Sequence, residues 1–375
     1  MPMDFGVEFM SYPGCWDDVA FAEQHGISVA GFVESPILAA DPYICMALAA
    51  QATTTMRIGS CLNIPGLRTA PTAAAGLATV NSIAPGRVWA GTGTGLTGRM
   101  CLGMGALAAW KVRDFACEVR SLLAGEEVVH RIGKAERRIR LNQPNSLRVD
   151  PEHPIPVYIA ADGPKALQAA AEGSDGMITG LTAGSAMGNA PDVFVDEITA
   201  LRAAAKEAGR NLDDCYTIWP VSICVLEPGE SAISPRALKQ AGPLAARAFH
   251  FYTCNPEIGP FLPPAIRERL EIFEKEVLSR IDLPRELLYQ EVNAGHLEYL
   301  LDGEAAVLTE EIMRMTTLTG TPEEIAAQLR RLESAGLGCV LLCIPSSVMR
   351  EVILDVEEKI MPLMASVTAG PISGT

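Results

Sequence analysis

The fold of this chain is decided at residues 87–98, which read RVWAGTGTGLTG. The apolar run predicts a strand, and the glycines after it match the GxGxxG pattern of dinucleotide-binding sites. That interpretation also needs a second strand ending in an acidic residue roughly 20 residues later. Here a helical pattern covers residues 106–123, and the next strand begins only at residue 155. A dinucleotide site is therefore disfavoured. Two alternatives remain: an ordinary turn, or a loop whose glycines let the backbone approach a flat ring closely.

Seven further strand candidates flank this one along the chain, and a helical pattern follows each of them. Most are continuous apolar runs, which are typical of a parallel sheet covered on both faces. Eight strand–helix units in one chain predict a closed (β/α)8 TIM barrel, with a doubly wound open sheet as the alternative. The eight predicted strands are residues 4–9, 28–33, 56–63, 87–92, 155–161, 175–179, 216–226 and 339–344.

We predict a single domain over residues 1–365, in which two insertions interrupt the barrel. Residues 127–154 are polar and strand-poor, whereas residues 235–315 are helical. After the second insertion, Thr321 and Glu324 have the spacing of a capping box, and Pro322 suits the first position of the helix that begins there. Residues 366–375 are expected to form a frayed tail.

The charge balance restricts the possible partners. The 375 residues include 30 Lys and Arg against 45 Asp and Glu, a formal net charge of −15. Such a surface repels phosphate backbones and anionic membranes, so we expect neither nucleic acid nor a membrane as a partner. No signal peptide is visible, no apolar run reaches the length of a membrane span, and no cluster has metal-ligand spacing. Ten scattered cysteines without a CxxC pair are typical of a reduced cytoplasmic protein.

Two sites at strand ends carry candidate functional residues. Glu34 ends the second predicted strand, where it could act as an acid or base, or else be an exposed loop charge. Residues 160–165 join the fifth strand to a helix whose free N–H groups suit an anionic or carbonyl group. An ordinary turn capped by Asp162 fits residues 160–165 equally well.

The five histidines fall into two groups. His250 and His296 lie in the second insertion, from which a titratable group could reach the barrel mouth, and a structural role is the alternative. His25, His130 and His153 are expected at the surface.

Four stretches in register resemble the bacterial luciferase-like superfamily, which holds FMN-dependent monooxygenases and oxidoreductases that use the deazaflavin coenzyme F420. The nearest resemblance is to methylenetetrahydromethanopterin reductases and deazaflavin-dependent glucose-6-phosphate dehydrogenases. Each stretch alone is a weak signal, but together they follow the family's order. The stretches are residues 57–65 with Arg68 and Pro71, 85–88 with 91–95, 155–164, and 319–324.

The resemblance implies where a cofactor ring would lie. It implies a non-prolyl cis peptide bond at Cys61–Leu62, in a bulge that supports the back face of the ring in this family. One departure is that Glu34-Ser35 stands where the deazaflavin dehydrogenases carry an Asp-His pair thought to serve proton transfer. The residues assigned to the cofactor are Cys61, Leu62, Asn63, Thr94, Ala160, Ala161, Asp162, Gly163 and Thr179.

Three functions are compatible with these features. The first is an FMN-dependent monooxygenase of a small organic substrate, with reduced FMN supplied by a separate flavin reductase and with Glu34 or His296 in proton transfer. The second is an F420-dependent hydride-transfer reductase or dehydrogenase. The third is a flavin-binding barrel without catalytic activity. The family's habit also implies a homodimer.

Overall fold

The computed structural model describes residues 2–142, 150–180 and 191–365, and eight of its parallel strands close into a barrel. Around the barrel the strands follow their order in the chain, and the last pairs with the first. The (β/α)8 TIM barrel is therefore confirmed, whereas the predicted tail lies outside the described residues. The barrel strands are β1 (Asp4–Phe9), β2 (Val29–Phe32), β3 (Arg57–Asn63), β4 (Val88–Thr92), β7 (Val157–Ala160), β8 (Gly176–Ile178), β9 (Tyr216–Val221) and β12 (Cys339–Cys343).

Helices pack against the outside of the barrel, and the main hydrophobic core lies between them and the strands. The capping box at Thr321 and Glu324 is present as predicted, because each of the two side chains bonds to the other residue's backbone N–H. The α-helices are α1 (Cys15–Gln24), α2 (Pro42–Ala52), α3 (Ala70–Ile83), α4 (Leu96–Met100), α5 (Ala109–Leu123), α6 (Pro164–Gly173), α7 (Pro191–Glu207), α8 (Pro235–Ala245), α9 (Arg247–Cys254), α10 (Pro264–Arg267), α11 (Leu270–Glu276), α12 (Glu310–Thr316), α13 (Pro322–Ala335), α14 (Met349–Asp355) and α15 (Met361–Ala365).

The middle of the barrel is filled by a cluster of side chains that includes Trp89, Tyr158 and Leu341. Trp89 of β4 lies against Gly59 of β3, where a Cβ atom would stand only 2.1 Å from the indole ring. Gly31 of β2 also borders this ring, and Tyr158 packs with its ring centroid 6.0 Å from that of Trp89. The absence of side chains at these glycines makes room for the indole. The barrel is therefore a packed core rather than a pore.

The first insertion contains a β-hairpin, so its prediction as strand-poor is wrong. Strand β5 (Val128–Ile132) pairs antiparallel with β6 (Ala135–Ile139) across a two-residue turn that begins at Gly133, whose φ is 59°. The hairpin is mostly exposed, so charged residues occupy positions that a buried strand would fill with apolar ones. His130 was expected at the surface but is buried on β5, where it pairs with Glu118 of α5.

The predicted strand 216–226 divides into two strands that serve different sheets. After β9, Ser222 donates a hydrogen bond to the carbonyl of Cys343 at 2.6 Å, and the chain then leaves the barrel. Strand β10 (Ile223–Val225) pairs in parallel with β11 (Leu318–Gly320), which the sequence did not predict. This short sheet ties both ends of the second insertion together.

The second insertion is helical, as predicted, and has its own hydrophobic core. Phe249 and Phe273 stack at its centre with ring centroids 5.2 Å apart. Because the insertion has its own hydrophobic core, it can keep its structure where it packs beside the barrel. Within residues 2–142, 150–180 and 191–365, no helix is long and apolar enough to cross a membrane.

Candidate active site

A large cavity lies at the carboxyl ends of the barrel strands, on the side where TIM-barrel enzymes place their active sites. It holds about 950 Å³ of empty space, counting the part that opens to solvent. Its lining comes from the ends of β1, β2, β3, β7 and β12, from the loop after β4, and from the second insertion. The cavity is therefore a solvent-open site where side chains from several strand ends and from the insertion converge.

The floor of the cavity is formed by the end of β3. The Cys61–Leu62 peptide bond is cis, as the resemblance implied, and the pairing register between β3 and β4 shifts between Ser60 and Asn63. Leu62 packs closely on the backbone of β4: a Cβ atom at Gly91 would lie 2.9 Å from its side chain, and one at Gly93 only 2.5 Å. Because these two glycines have no side chains, Leu62 can pack directly on the backbone at the end of β4 and form the floor of the cavity.

The glycine-rich loop after β4 lines the cavity, so it is more than an ordinary turn. Thr94, Gly95 and Gly98 all border the empty space. The loop does open a short helix, α4, but the chain then continues through α5 into the hairpin and not into a neighbouring sheet strand. The requirements of a dinucleotide site are therefore not met.

Glu8 is a buried acid at the end of β1 that the sequence analysis did not select. It lines the cavity and accepts a hydrogen bond from the Cys343 thiol of β12 at 2.9 Å. Burial raises the pKa of Glu8, while hydrogen bonds from Cys343 and Cys61 and the charge of Arg247 act in the opposite direction. Glu8, like Glu34, lies near the end of a predicted strand, so the criterion that selected Glu34 could have selected Glu8 as well.

Glu34 lies at the cavity wall and is only 5% exposed. One of its oxygens accepts the Ile64 N–H at 3.0 Å, and the other pairs with Arg68. Burial raises the pKa of Glu34, although these two bonds oppose the shift. Arg68 also binds Asp41 at 2.5 Å, so the Glu34 carboxyl is held within a network that fixes the loop after β3.

Two buried polar atoms of the cavity lining have no hydrogen-bond partner within the described part of the chain. They are the hydroxyl of Ser35, next to Glu34, and Nδ1 of His296. Buried polar atoms are nearly always paired in folded proteins. Their presence here indicates a place that a polar ligand would fill.

His296 is 7% exposed, and its surroundings keep it uncharged. Burial is the main cause, and the nearby Arg247 and His250 add to it, so that the pKa of His296 falls from 6.5 to about 3. This lowered pKa disfavours proton exchange by His296 near neutral pH in the folded protein. A neutral imidazole can still donate and accept hydrogen bonds.

The lowered pKa of His296 predicts a specific loss of stability in acid. Between about pH 6.5 and pH 3 the unfolded chain binds a proton at this residue and the folded chain does not, so stability falls as the pH falls. Between pH 6 and pH 4.5, wild type should lose about 2 kcal/mol more unfolding free energy than His296→Gln. Urea unfolding of both proteins at the two pH values measures this difference. Equal losses in the two proteins would contradict the assignment.

A second acidic cluster stands beside the cavity at the end of β8. Asp162 accepts hydrogen bonds from the Thr179 hydroxyl at 3.1 Å and from the Gly180 N–H at 2.9 Å. Thr179 also bonds to Glu197 of α7. Burial, together with the charge of Asp162, raises the pKa of Glu197 to about 7. Asp162 is thereby fixed in place where it borders the cavity.

The structure brings most of the predicted site residues together. Glu34, Cys61, Leu62, Thr94, Ala160, Asp162 and His296 all line the cavity. Four others do not. Asn63 is buried and bonded to Ser60 and Tyr43, and Thr179 lies behind Asp162. Ala161 packs into the core, and Gly163 caps α6 with a φ of 80°. His250 is a buried partner of Glu304 within the insertion.

Arg247 is the second charged cavity residue that the sequence analysis did not select. It begins α9 in the second insertion, far along the chain from the ends of β1 and β3, and no local pattern marks it. Within the described residues, no group of His, Cys, Asp and Glu side chains could hold a metal ion.

Comparisons with known proteins agree with this geometry. A family model described as luciferase-like monooxygenase matches residues 16–338. The F420-dependent glucose-6-phosphate dehydrogenase of Nakamurella multipartita is 29% identical over 182 residues, which cover 46% of this chain and 49% of the relative. The chain thus spans about half the length of that relative. The 5,10-methylenetetrahydromethanopterin reductase of Archaeoglobus fulgidus is 24% identical over 352 residues, covering 89% of this chain and 91% of the relative.

Two solved structures share the fold. The coenzyme F420-dependent tetrahydromethanopterin reductase of Methanopyrus kandleri has a TM-score of 0.69 at 18% identity, covering 96% of this chain and 99% of its own. The oxygenating constituent of 3,6-diketocamphane monooxygenase from Pseudomonas putida, in complex with FMN, has a TM-score of 0.57 at 14% identity with the same coverage.

Proposed function

Because the chain belongs to the luciferase-like monooxygenase family and is an oxidoreductase, we propose that it transfers a hydride between coenzyme F420 and a small organic substrate in the cavity at the barrel mouth. The makeup of the cavity supports a flat-ring cofactor, and the F420 named for a sequence relative favours the deazaflavin. Leu62 gives the cavity an apolar floor, glycines border that floor, and one buried polar atom each of Ser35 and His296 has no partner among the described residues.

The residues present fit a flat tricyclic ring. Leu62, Ile64 and Ala160 offer apolar contact to the ring, and the glycine-rich loop offers its backbone at close range. The orphaned Ser35 hydroxyl and His296 Nδ1 would bond to the polar edge of such a ring or to its substrate. A bound deazaflavin supplies two-electron redox chemistry, and the protein supplies position and the exclusion of water.

Three acidic or histidine residues of the chain have separate roles in this proposal. Glu8 borders the cavity, and burial raises the pKa of its carboxyl, so this side chain can exchange hydrogen bonds with a ligand there. His296, being neutral, can orient a substrate oxygen or nitrogen without adding charge. Glu34 has both oxygens engaged, so its role in this proposal is to hold the loop after β3 through Ile64 and Arg68.

An FMN-dependent monooxygenase is the second candidate. It is favoured by the Glu34-Ser35 pair, which replaces the Asp-His pair that the resemblance leads us to expect in deazaflavin dehydrogenases. The mostly apolar lining and the adjacent insertion would also suit chemistry that must exclude water. We rank it second because a sequence relative at 29% identity is named for F420, whereas the FMN complex shares the fold alone.

A cofactor titration tests both candidates. Visible absorbance and fluorescence are followed while F420 or FMN is added to the purified full-length protein, and turnover is then compared with and without O2. The proposal expects F420 to bind at least roughly tenfold more tightly than FMN, a difference of about 1.4 kcal/mol, and substrate reduction or oxidation to proceed without O2. Tight FMN binding with O2-dependent turnover would replace it by the second candidate. Binding of neither cofactor would reject both.

Three expectations about the protein's surroundings remain predictions. We propose a homodimer, a cytoplasmic location and, for the FMN candidate alone, a separate flavin reductase as partner. Light scattering coupled to size exclusion measures the first of these, and a mass of about 40 kDa rather than about twice that value would contradict it.

A further inference from the structure

Arg247 has hydrogen-bond donors that the protein does not use. It lines the cavity from the start of α9, and one of its terminal nitrogens, Nη2, donates to the carbonyl of Gly180 at 3.1 Å. Its remaining N–H groups have no partner, and it forms no ion pair, within the described part of the chain. Arg68, by contrast, binds two carboxylates, those of Glu34 and Asp41. A half-buried guanidinium on a cavity wall, with no ion pair among the described residues, can offer its remaining N–H groups to an anion that enters the cavity.

The acidic groups that face Arg247 are already engaged. Glu8 accepts the Cys343 thiol, and Asp162 is held by Thr179 and Gly180. Both are close enough to interact electrostatically with Arg247, but neither comes within ion-pair distance. Burial outweighs these attractions and lowers the pKa of Arg247. The other titratable neighbours are Cys343, whose thiol pKa burial raises well above its ordinary value, and His296, whose pKa burial lowers, so neither supplies a counterion to Arg247.

We propose that the substrate carries a carboxylate and that Arg247 binds it inside the cavity. A planar carboxylate matches the fork of a guanidinium, which can bind both of its oxygens at once. The neighbouring lining is apolar, with Leu244 and Leu297 from the insertion and Leu62 from the floor. The substrate is therefore an organic acid with an apolar body. This inference rests on the proposed function and narrows its substrate class.

Hexanoate and hexanamide are matched probes for this site, because they differ in charge but hardly in size. Their dissociation constants are measured by calorimetry or ligand-detected NMR on the full-length protein, with and without bound cofactor. We expect hexanoate to bind wild type roughly tenfold to a hundredfold more tightly than hexanamide. Arg247→Met should remove that preference, and Arg247→Lys should keep part of it because the charge remains.

Arg285→Met is the matched control, since Arg285 is exposed, borders a neighbouring groove and pairs with Glu274 at 3.4 Å. It should keep the full hexanoate preference. Equal binding of the two probes to wild type, or a preference that survives in Arg247→Met, would overturn the inference. If Arg247→Met instead weakens cofactor binding and leaves the probe preference intact, Arg247 serves the cofactor and the inference is also overturned.

The cofactor titration and the probe titrations test the proposed function and the carboxylate site independently. Cofactor binding by wild type tests the proposed function and does not involve the probes. A hexanoate preference that depends on Arg247 in a protein that binds neither F420 nor FMN would support the carboxylate site and reject the proposed function. Cofactor binding without any hexanoate preference would support the proposed function and reject the carboxylate site.

Discussion

Gly93→Val is expected to abolish cofactor binding while leaving the barrel folded. A Cβ atom at Gly93 would lie 2.5 Å from a terminal methyl carbon of Leu62 and 3.2 Å from the Cβ of Ala160. The backbone at Gly93 cannot retreat easily, because its N–H is bonded to the carbonyl of Asn63 at 3.1 Å. The Leu62 side chain must therefore move up into the cavity, where the ring is proposed to lie.

The expected effect of Gly93→Val on affinity is large and its effect on stability is modest. The dissociation constant of F420 or FMN, whichever binds wild type, should rise at least roughly a hundredfold in a fluorescence titration. Overpacking of this kind costs about 1–3 kcal/mol in unfolding free energy, which urea unfolding measures. Gly105→Val is the control, because nothing lies within 4 Å of a Cβ atom at that glycine. Affinity in Gly93→Val within tenfold of wild type would contradict the placement of the ring on Leu62.

Glu304→Leu is expected to cost the protein about 3 kcal/mol or more of unfolding free energy. Glu304 is 1% exposed, and both of its oxygens are engaged inside the second insertion. One pairs with His250 and the other accepts the Leu301 N–H at 2.7 Å. Leucine at this position would leave two buried polar groups without their partner, and each of them would have lost its bonds to water as well.

The comparison for Glu304→Leu is Glu274→Leu, which removes an exposed ion pair with Arg285. Exposed pairs contribute about 0–1 kcal/mol, so this variant should unfold at nearly the wild-type urea concentration. Because α9 carries both His250 and Arg247, the Glu304 variant should also weaken hexanoate binding more than the Glu274 variant does. Similar unfolding free energies for the two variants would show that the buried pair does not hold the insertion together.

The location of the cavity was predictable from strand ends, but the chemical state of its residues was not. Glu8 and Glu34 both follow apolar runs and look alike in the sequence. In the structure one is held by a thiol inside the barrel and the other by Arg68 and the Ile64 N–H. These partners come from other strands and loops, so the pattern around each acid contains no information about them.

His130 and His296 also show that the local sequence does not determine the burial or the protonation of a residue. His130 was expected at the surface, yet it is buried where it pairs with Glu118 of α5. His296 was considered as a titratable group at the barrel mouth or as a structural residue, and burial, with Arg247 and His250, lowers its pKa. Burial and nearby charges determine a pKa, and both depend on which distant segments pack together.

The amino-acid sequence by itself determined the barrel and the insertion that borders its mouth, and the family resemblance implied the bulge on which a ring is proposed to rest. Continuous apolar runs fix buried parallel strands locally, and short motifs with glycine and proline fix the loops between them. Only the tertiary structure decided that Arg247 and His296, far along the chain, meet Glu8 and Leu62 in one cavity. That meeting depends on the packing of the insertion's separate core against the barrel, a long-range contact that no local pattern encodes.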